Sequence, residues 1–217
     1  MARLFRPLVL LCGACVLAGG LLSWQVAYGS RPRQVDLGFW FEPVTFSSPR
    51  LGGPLHASEL ALIQTLAERE IAQAFAGMRI RVSARRDTRY RIRVVQDVKD
   101  ARFQRPVHVA GQSRGMTGFG GEGDVSFEFA ANSAVVYASA GMVRGQIVEA
   151  IGRGVGRSAV HEFTHQLLPR APIHASRDRS SYEYYSAARV EQYFGELRWD
   201  LAKPLLQARL AAAPVGD

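Results

Sequence analysis

The chain has 217 residues, 47% of them hydrophobic, and a formal net charge of +8, enough for one domain with an apolar core. Lys99 and Lys203 are the only lysines among 27 basic residues, and no helical stretch carries a basic stripe interleaved with aromatics, which argues against nucleic acid as a partner. Both cysteines, Cys12 and Cys15, lie near the N-terminus, so the rest of the chain has no disulfide and no thiol to offer a metal.

Residues 1–29 read as a signal peptide or an N-terminal membrane anchor. Arg3 and Arg6 give a cationic start, Pro7 to Trp24 is apolar almost throughout, and Ala27-Tyr28-Gly29 is a small-x-small site suited to cleavage before Ser30. The apolar run approaches the length that spans a bilayer, so residues 7–24 are a candidate membrane tether. Both readings place the remainder outside the cytoplasm, periplasmic or secreted. Residues 30–55, rich in proline, glycine and serine, read as an extended linker. Ser58 is expected to cap a helix reaching Ala76, with an apolar stripe of Leu60, Leu62, Ile63, Leu66, Ile71 and Phe75.

Met78 to Ser83 and Tyr90 to Val94 alternate strictly and predict two strands joined by Ala84 to Thr88. Residues 98–124 form a long glycine-rich connection of the kind that serves function or moves. Val125 to Phe129 and Ala134 to Ala138 read as further strands, turning at Ala131-Asn132-Ser133. A helical period follows through Ile147, Val148, Ile151, Val155, Val160, Phe163 and Leu167, and Pro169 stops it. Gly152, Gly154 and Gly156 weaken that helix by ~1 kcal/mol each. They either permit close contact with the sheet or delay the ordered start to near Ser158. A polar segment, Pro169 to Ser181, then carries His174 and Asp178, and Tyr182 to Leu210 is helical in pattern, with Pro204 opening a last helix. This order predicts one α+β domain over 56–217 with a cleft below its sheet.

His161-Glu162-Phe163-Thr164-His165 is an H-E-x-x-H motif. Residues four apart share a helical face, so His161 and His165 can offer two imidazoles to one ion, with Glu162 placed to take a proton from a bound water. A hydrolytic zinc site wants three protein ligands and one open position. His174, Asp178, Glu183 and Glu191 are the candidates for the third ligand. Tyr182, Tyr184 and Tyr185 are candidates to stabilise a developing oxyanion, and Thr164 and Glu191 to orient the histidines.

The segment Ala159 to Leu168, followed by His174, resembles the active-site segment of zincin metallopeptidases. It is most similar to metzincin-like bacterial forms with H-E-x-x-H-x-L-L and a later histidine. The likeness is carried by residues 145–175 and is one of layout alone over 56–145. It implies a zincin-like fold: a mixed, mostly antiparallel-edged sheet, an active-site helix, a preceding helix and a C-terminal helical part. It implies Zn2+ held by His161, His165 and His174, with Glu162 as general base, and Ala134 to Ala138 as the edge that aligns an extended peptide. The chain departs from the family pattern where Leu168 and Ala171 replace the usual glycine and third histidine. No methionine follows Met142 to form the turn beneath the metal, and Ser181 to Tyr184 stand in that region. The expected activity is that of a zinc metallopeptidase hydrolysing a peptide or protein substrate. The alternatives are a zinc amidase or esterase acting on cell-envelope substrates, and a membrane-tethered, non-catalytic binding module.

Overall fold

The computed structural model describes residues 34–100, 106–171 and 173–210, so the expected targeting segment over 1–29 and the candidate tether over 7–24 lie outside the described residues. Among those described, no helix is long and apolar enough to cross a membrane.

The fold is mixed α/β, built on a five-stranded sheet. In chain order its strands are β1 (Val35–Phe41), β2 (Ile80–Ser83), β3 (Tyr90–Val95), β4 (Gly111–Arg114) and β5 (Gly121–Ser126), arranged in space as β2-β1-β3-β5-β4. Three of the four pairings are parallel, and β4 closes one edge antiparallel to β5. Along β3, Tyr90, Ile92 and Val94 are buried and Arg91 and Arg93 half-buried, the two-residue period of a strand with one core face. The other face carries ion pairs between register neighbours: Asp36 with Arg81, Arg91 with Glu122, Arg93 with Asp124.

The extended linker expected over 30–55 is, from Val35 onward, part of the folded unit, and its first seven residues form a strand flanked on both sides. Leu37 and Phe39, both fully buried, carry the alternation that the surrounding prolines and glycines mask. β2 and β3 are joined directly by the chain between them, as expected, and β1 lies between them in the sheet. Ser83 ends β2 opposite Gly38 and Tyr90 begins β3 opposite Leu37, so the intervening chain crosses over β1 at that level. Gly38 makes the crossing feasible: a Cβ there would lie 2.1 Å from the Arg85 carbonyl oxygen, and the Gly38 N–H donates to Thr88 Oγ1 at 3.0 Å.

The described residues also form five α-helices, α1 (Ala57–Ala74), α2 (Phe127–Tyr137), α3 (Arg144–Leu167), α4 (Glu191–Phe194) and α5 (Lys203–Leu210), with a short 3-10 helix at Pro49–Leu51 and two small two-stranded ladders. α1 is capped at His56 rather than Ser58, because the Glu59 carboxylate reaches back to the His56 N–H at 2.8 Å. Its stripe holds except at Leu62, which is exposed.

The strand expected at Ala134 to Ala138 is helix. The Ser126 hydroxyl accepts the Phe129 N–H at 3.1 Å, and Phe127, Ala130, Ala131 and Ala134 then fall on one buried face. A cap followed by small helix-forming residues overrides the β-branched pair Val135-Val136. The expected peptide-aligning edge there is therefore absent, and the sheet's antiparallel edge is β4, inside the stretch read as a connection.

α3 is continuous from Arg144, so its glycines do not delay it. They let other elements approach. A Cβ at Gly152 would meet Leu66 at 2.7 Å, one at Gly156 the Ala67 carbonyl at 2.6 Å, and one at Gly154 the Tyr193 ring at 2.3 Å. The close partner is α1 and the Tyr193 ring, not the sheet. Phe163 sits at the centre of the core, edge-on to Phe75 and Tyr90 at 5.3 and 5.6 Å. The long helix expected over Tyr182 to Leu210 is reduced to α4 and α5, with Pro204 in the first turn of α5 as expected. Polar groups hold the rest of that segment, as the site makes plain.

Candidate metal centre

The last turns of α3 set the site. His161 and His165 stand one turn apart on the face that leaves the core, while Phe163, Thr164 and Leu167 are buried. Pro169 ends the helix, Ala171 turns back to the Leu168 carbonyl at 3.0 Å, and buried Ile173 anchors the returning chain, which delivers His174 to the same point. The three imidazoles converge. Nε2 of His161 lies 2.9 Å from that of His174 and 3.2 Å from that of His165, and the His165–His174 separation is 3.2 Å.

His161 Nδ1 lies 3.1 Å from the Tyr182 carbonyl oxygen, the position of an N–H donor, which leaves Nε2 with a free lone pair. Burial lowers the His161 pKa to about 3, helped by the nearby His165, and lowers that of His165 to about 4; burial lowers His174 as well. All three rings are neutral at pH 7, as metal ligation requires. Four-coordinate zinc with Zn–N of 2.0–2.1 Å needs ligand atoms about 3.3 Å apart. The observed triangle is close to that size, its donors are all imidazole, and among the described residues no carboxylate joins the group. The set fits Zn2+ and does not fit Mg2+ or Ca2+, which take oxygen donors.

Glu162 lines the same cleft as the three histidines and rests against β4. Ser113 Oγ lies 2.8 Å from Glu162 Oε2 and 2.9 Å from its backbone carbonyl, so the hydroxyl proton serves one or the other. Gly111 admits the carboxylate, since a Cβ there would lie 2.7 Å from Oε1. Burial raises the Glu162 pKa to about 7 against the lowering effect of Ser113, which places it where a group both accepts and returns protons near neutrality.

The remaining candidates have other employment. Asp178 pairs with Arg198 at 2.8 Å and accepts the Ser180 N–H at 2.8 Å. Glu191 is held by Arg179 through both oxygens, at 2.8 and 3.1 Å, and orients no histidine. Thr164 Oγ1 donates to the Val160 carbonyl one turn back, so it too orients no histidine. Glu183, fully buried, accepts the backbone N–H groups of Asp200 at 2.6 Å, Leu201 at 2.9 Å and Ala202. It fastens the 181–184 segment to the start of α5, and this polar anchoring replaces the expected helix. The Tyr182 ring packs on Trp199 at 4.8 Å, and burial raises its hydroxyl pKa to about 12; Tyr184 and Tyr185 stack on each other at 4.6 Å beside the cleft.

The cleft has a volume of about 530 Å³ and is lined by the three histidines, Glu162, residues 109–113, Tyr184, Tyr185 and Arg189. Gly111, Ser113, the Tyr182 carbonyl and Arg189 were not indicated by motif or spacing. β4 reads Gly-Gln-Ser-Arg and has no apolar alternation to announce a strand. Compared with models of known protein families, with characterised proteins and with solved structures, the chain matches none.

Proposed function

We propose that this chain is a zinc-dependent metallopeptidase of zincin type that hydrolyses peptide bonds, exported from the cytoplasm by its N-terminal segment. The observation that carries the reading is the convergence of His161, His165 and His174 in one cleft with a buried Glu162. His161, His165 and His174 would hold the ion through Nε2. Once bound, zinc supplies Lewis acidity, making water easier to deprotonate and a carbonyl easier to attack.

The chain's own groups then do the following. Glu162 takes a proton from the attacking water and returns it to the leaving amine, and Ser113 keeps the carboxylate aligned. The Tyr182 carbonyl fixes the His161 tautomer. β4 lies at the sheet edge and its Gly111 to Ser113 line the cleft, so an extended peptide can lie along it. That edge favours a peptide over a compact cell-envelope ester or amide.

The test is metal analysis combined with a peptide-library digest. The purified chain should hold about one zinc and cut peptides. Glu162→Gln should keep the zinc and lose about 10²–10⁴-fold in rate. A chain that takes up no zinc on titration would overturn the reading. A zinc-loaded chain that cuts no peptide but cleaves cell-wall material would shift it to the amidase.

A further inference from the structure

We propose that Arg189 is the subsite for a carboxylate of the substrate, so that this enzyme selects peptides bearing a negative charge within three residues of the bond it cuts. The inference rests on the peptidase reading and adds the substrate class.

Arg189 is 2% exposed, a burial that arginine seldom reaches without a carboxylate beside it. It has none. Its Nη atoms donate to the Ser186 carbonyl and, at 2.8 Å, to the Ser181 carbonyl, and its guanidinium lies 5.0 Å from the Tyr184 ring centre. Nε has no partner. The acids in this part of the chain are already engaged: Glu191 by Arg179, Glu183 by three backbone N–H groups. A second arginine in the same cleft wall makes the contrast. Arg157, 6% exposed, has its carboxylate, Glu70, at 2.9 Å, and its Nη1 meets the carbonyls of Glu191 and Gln192. Of two buried cations lining one cleft, one is neutralised by the protein and the other is left for a ligand.

Its position relative to the histidines fixes the reach. Consecutive carbonyls hold the two groups: Ser181 takes Arg189 Nη2 at 2.8 Å, and Tyr182 takes His161 Nδ1 at 3.1 Å. With one residue between those oxygens, the guanidinium and the His161 ring are within about 11 Å, the span of roughly three extended residues. A guanidinium carries five N–H donors in a planar fork; the Ser181 and Ser186 carbonyls take two of them, and the enclosed, unpartnered Nε is one of the three left. The carboxylate can be the peptide's own C-terminus or an Asp or Glu side chain; both present the same chemistry at that distance.

The experiment has a binding arm and a cleavage arm. In the first, N-acetyl-alanyl-alanine and its C-terminal amide are titrated calorimetrically into the zinc-free protein. Wild type should bind the acid at least about tenfold more tightly than the amide. Arg189→Lys should narrow that preference and Arg189→Met abolish it, with thermal melts reporting whether each variant folds. Equal binding of acid and amide by wild type overturns the proposal without reference to any variant. So does a folded Arg189→Met that keeps the preference, because Arg189 is then only a pin for the Ser181 and Ser186 carbonyls.

In the second arm the zinc-loaded enzyme digests one peptide library with free C-termini and one amidated. Cuts confined to the free-acid library identify the C-terminus, and cuts near Asp or Glu in both identify the side chain. Cleavage in both with no acidic preference overturns the proposal while leaving the peptidase reading intact. Acid-selective binding with no cleavage overturns the peptidase reading instead.

Discussion

The two halves of the site are built by different physics. His161, Glu162 and His165 ride on α3, whose inner face packs against α1 and the sheet through fully buried residues such as Ile151, Val155 and Phe163. His174 and the Tyr182 carbonyl sit on a stretch between Leu168 and Ala202 that is irregular apart from α4, where, beside the apolar contacts of Ile173 and Tyr182, the anchors are mainly polar: the Glu183 carboxylate, the Arg189 guanidinium and short turns closed by backbone N–H groups. Apolar packing tolerates small errors, because many weak contacts share the load. A polar anchor in a buried place does not, because losing one partner strands the other. The irregular half should therefore be the fragile one, although it contributes only one of the three imidazoles.

The largest expected effect breaks that half at the metal. His174→Ala should lower zinc affinity by several orders of magnitude in a chelator-competition titration while the fold persists, since α3 keeps its packing. Asp178→Ala and Glu191→Ala, which remove carboxylates engaged in ion pairs, should leave affinity near wild type. A zinc site that survived His174→Ala but not Asp178→Ala would reassign the third ligand.

Next in size is the anchor beneath the loop. Glu183→Gln turns one of two acceptor oxygens into an NH₂ facing backbone N–H groups, with a cost of about 2–4 kcal/mol, read as a drop in the urea midpoint. The same change should weaken zinc about 10–100-fold, although Glu183 does not touch the trio, because Tyr182 next to it holds His161. If stability falls and zinc affinity does not, the Tyr182 carbonyl is positioned by something other than Glu183.

What the sequence disclosed follows the same division. The α3 period, its stop at Pro169 and the H-E-x-x-H spacing are local signals, readable from neighbours on one helix, and so are the alternations of β2 and β3. His174 was within reach because a turn after Pro169 limits where the chain can go. The strand order was not legible: nothing near Val35 announces that β1 will slip between β2 and β3, since that depends on a contact with Arg85 and Thr88 some fifty residues away. Val135-Val136 has the local look of a strand, and it is the Ser126 hydroxyl, accepting the Phe129 N–H, that starts α2 ahead of it. Ser113 and Glu183 act through partners 17 to 49 residues away and Arg189 through carbonyls eight and three residues back, and a polar residue carries no sign of which group it will meet.

The smallest effect tests whether a polar anchor is as critical when it is attached to the packed half. At the start of α3, Arg144 grips Glu59 of α1 through two contacts of 2.6 Å, and Glu59 also accepts the His56 N–H. The Arg144 hydrogen bonds, with help from His56, lower the Glu59 pKa from 4.5 to about 2. A carboxyl whose folded pKa is depressed stabilises the fold above its unfolded pKa, and the contribution disappears as pH falls from 4.5 towards 2. Glu59→Gln should therefore lower the urea midpoint at pH 6, by about 1 kcal/mol given the partial exposure, and the gap to wild type should narrow below pH 4.5 and close only as pH approaches 2. Zinc affinity at pH 7 should not change, because the packed length of α3 separates this anchor from the histidines. A Glu59→Gln chain that bound zinc more weakly would show that α3 transmits disturbance along its length, and the packed half would then be no more tolerant than the loop.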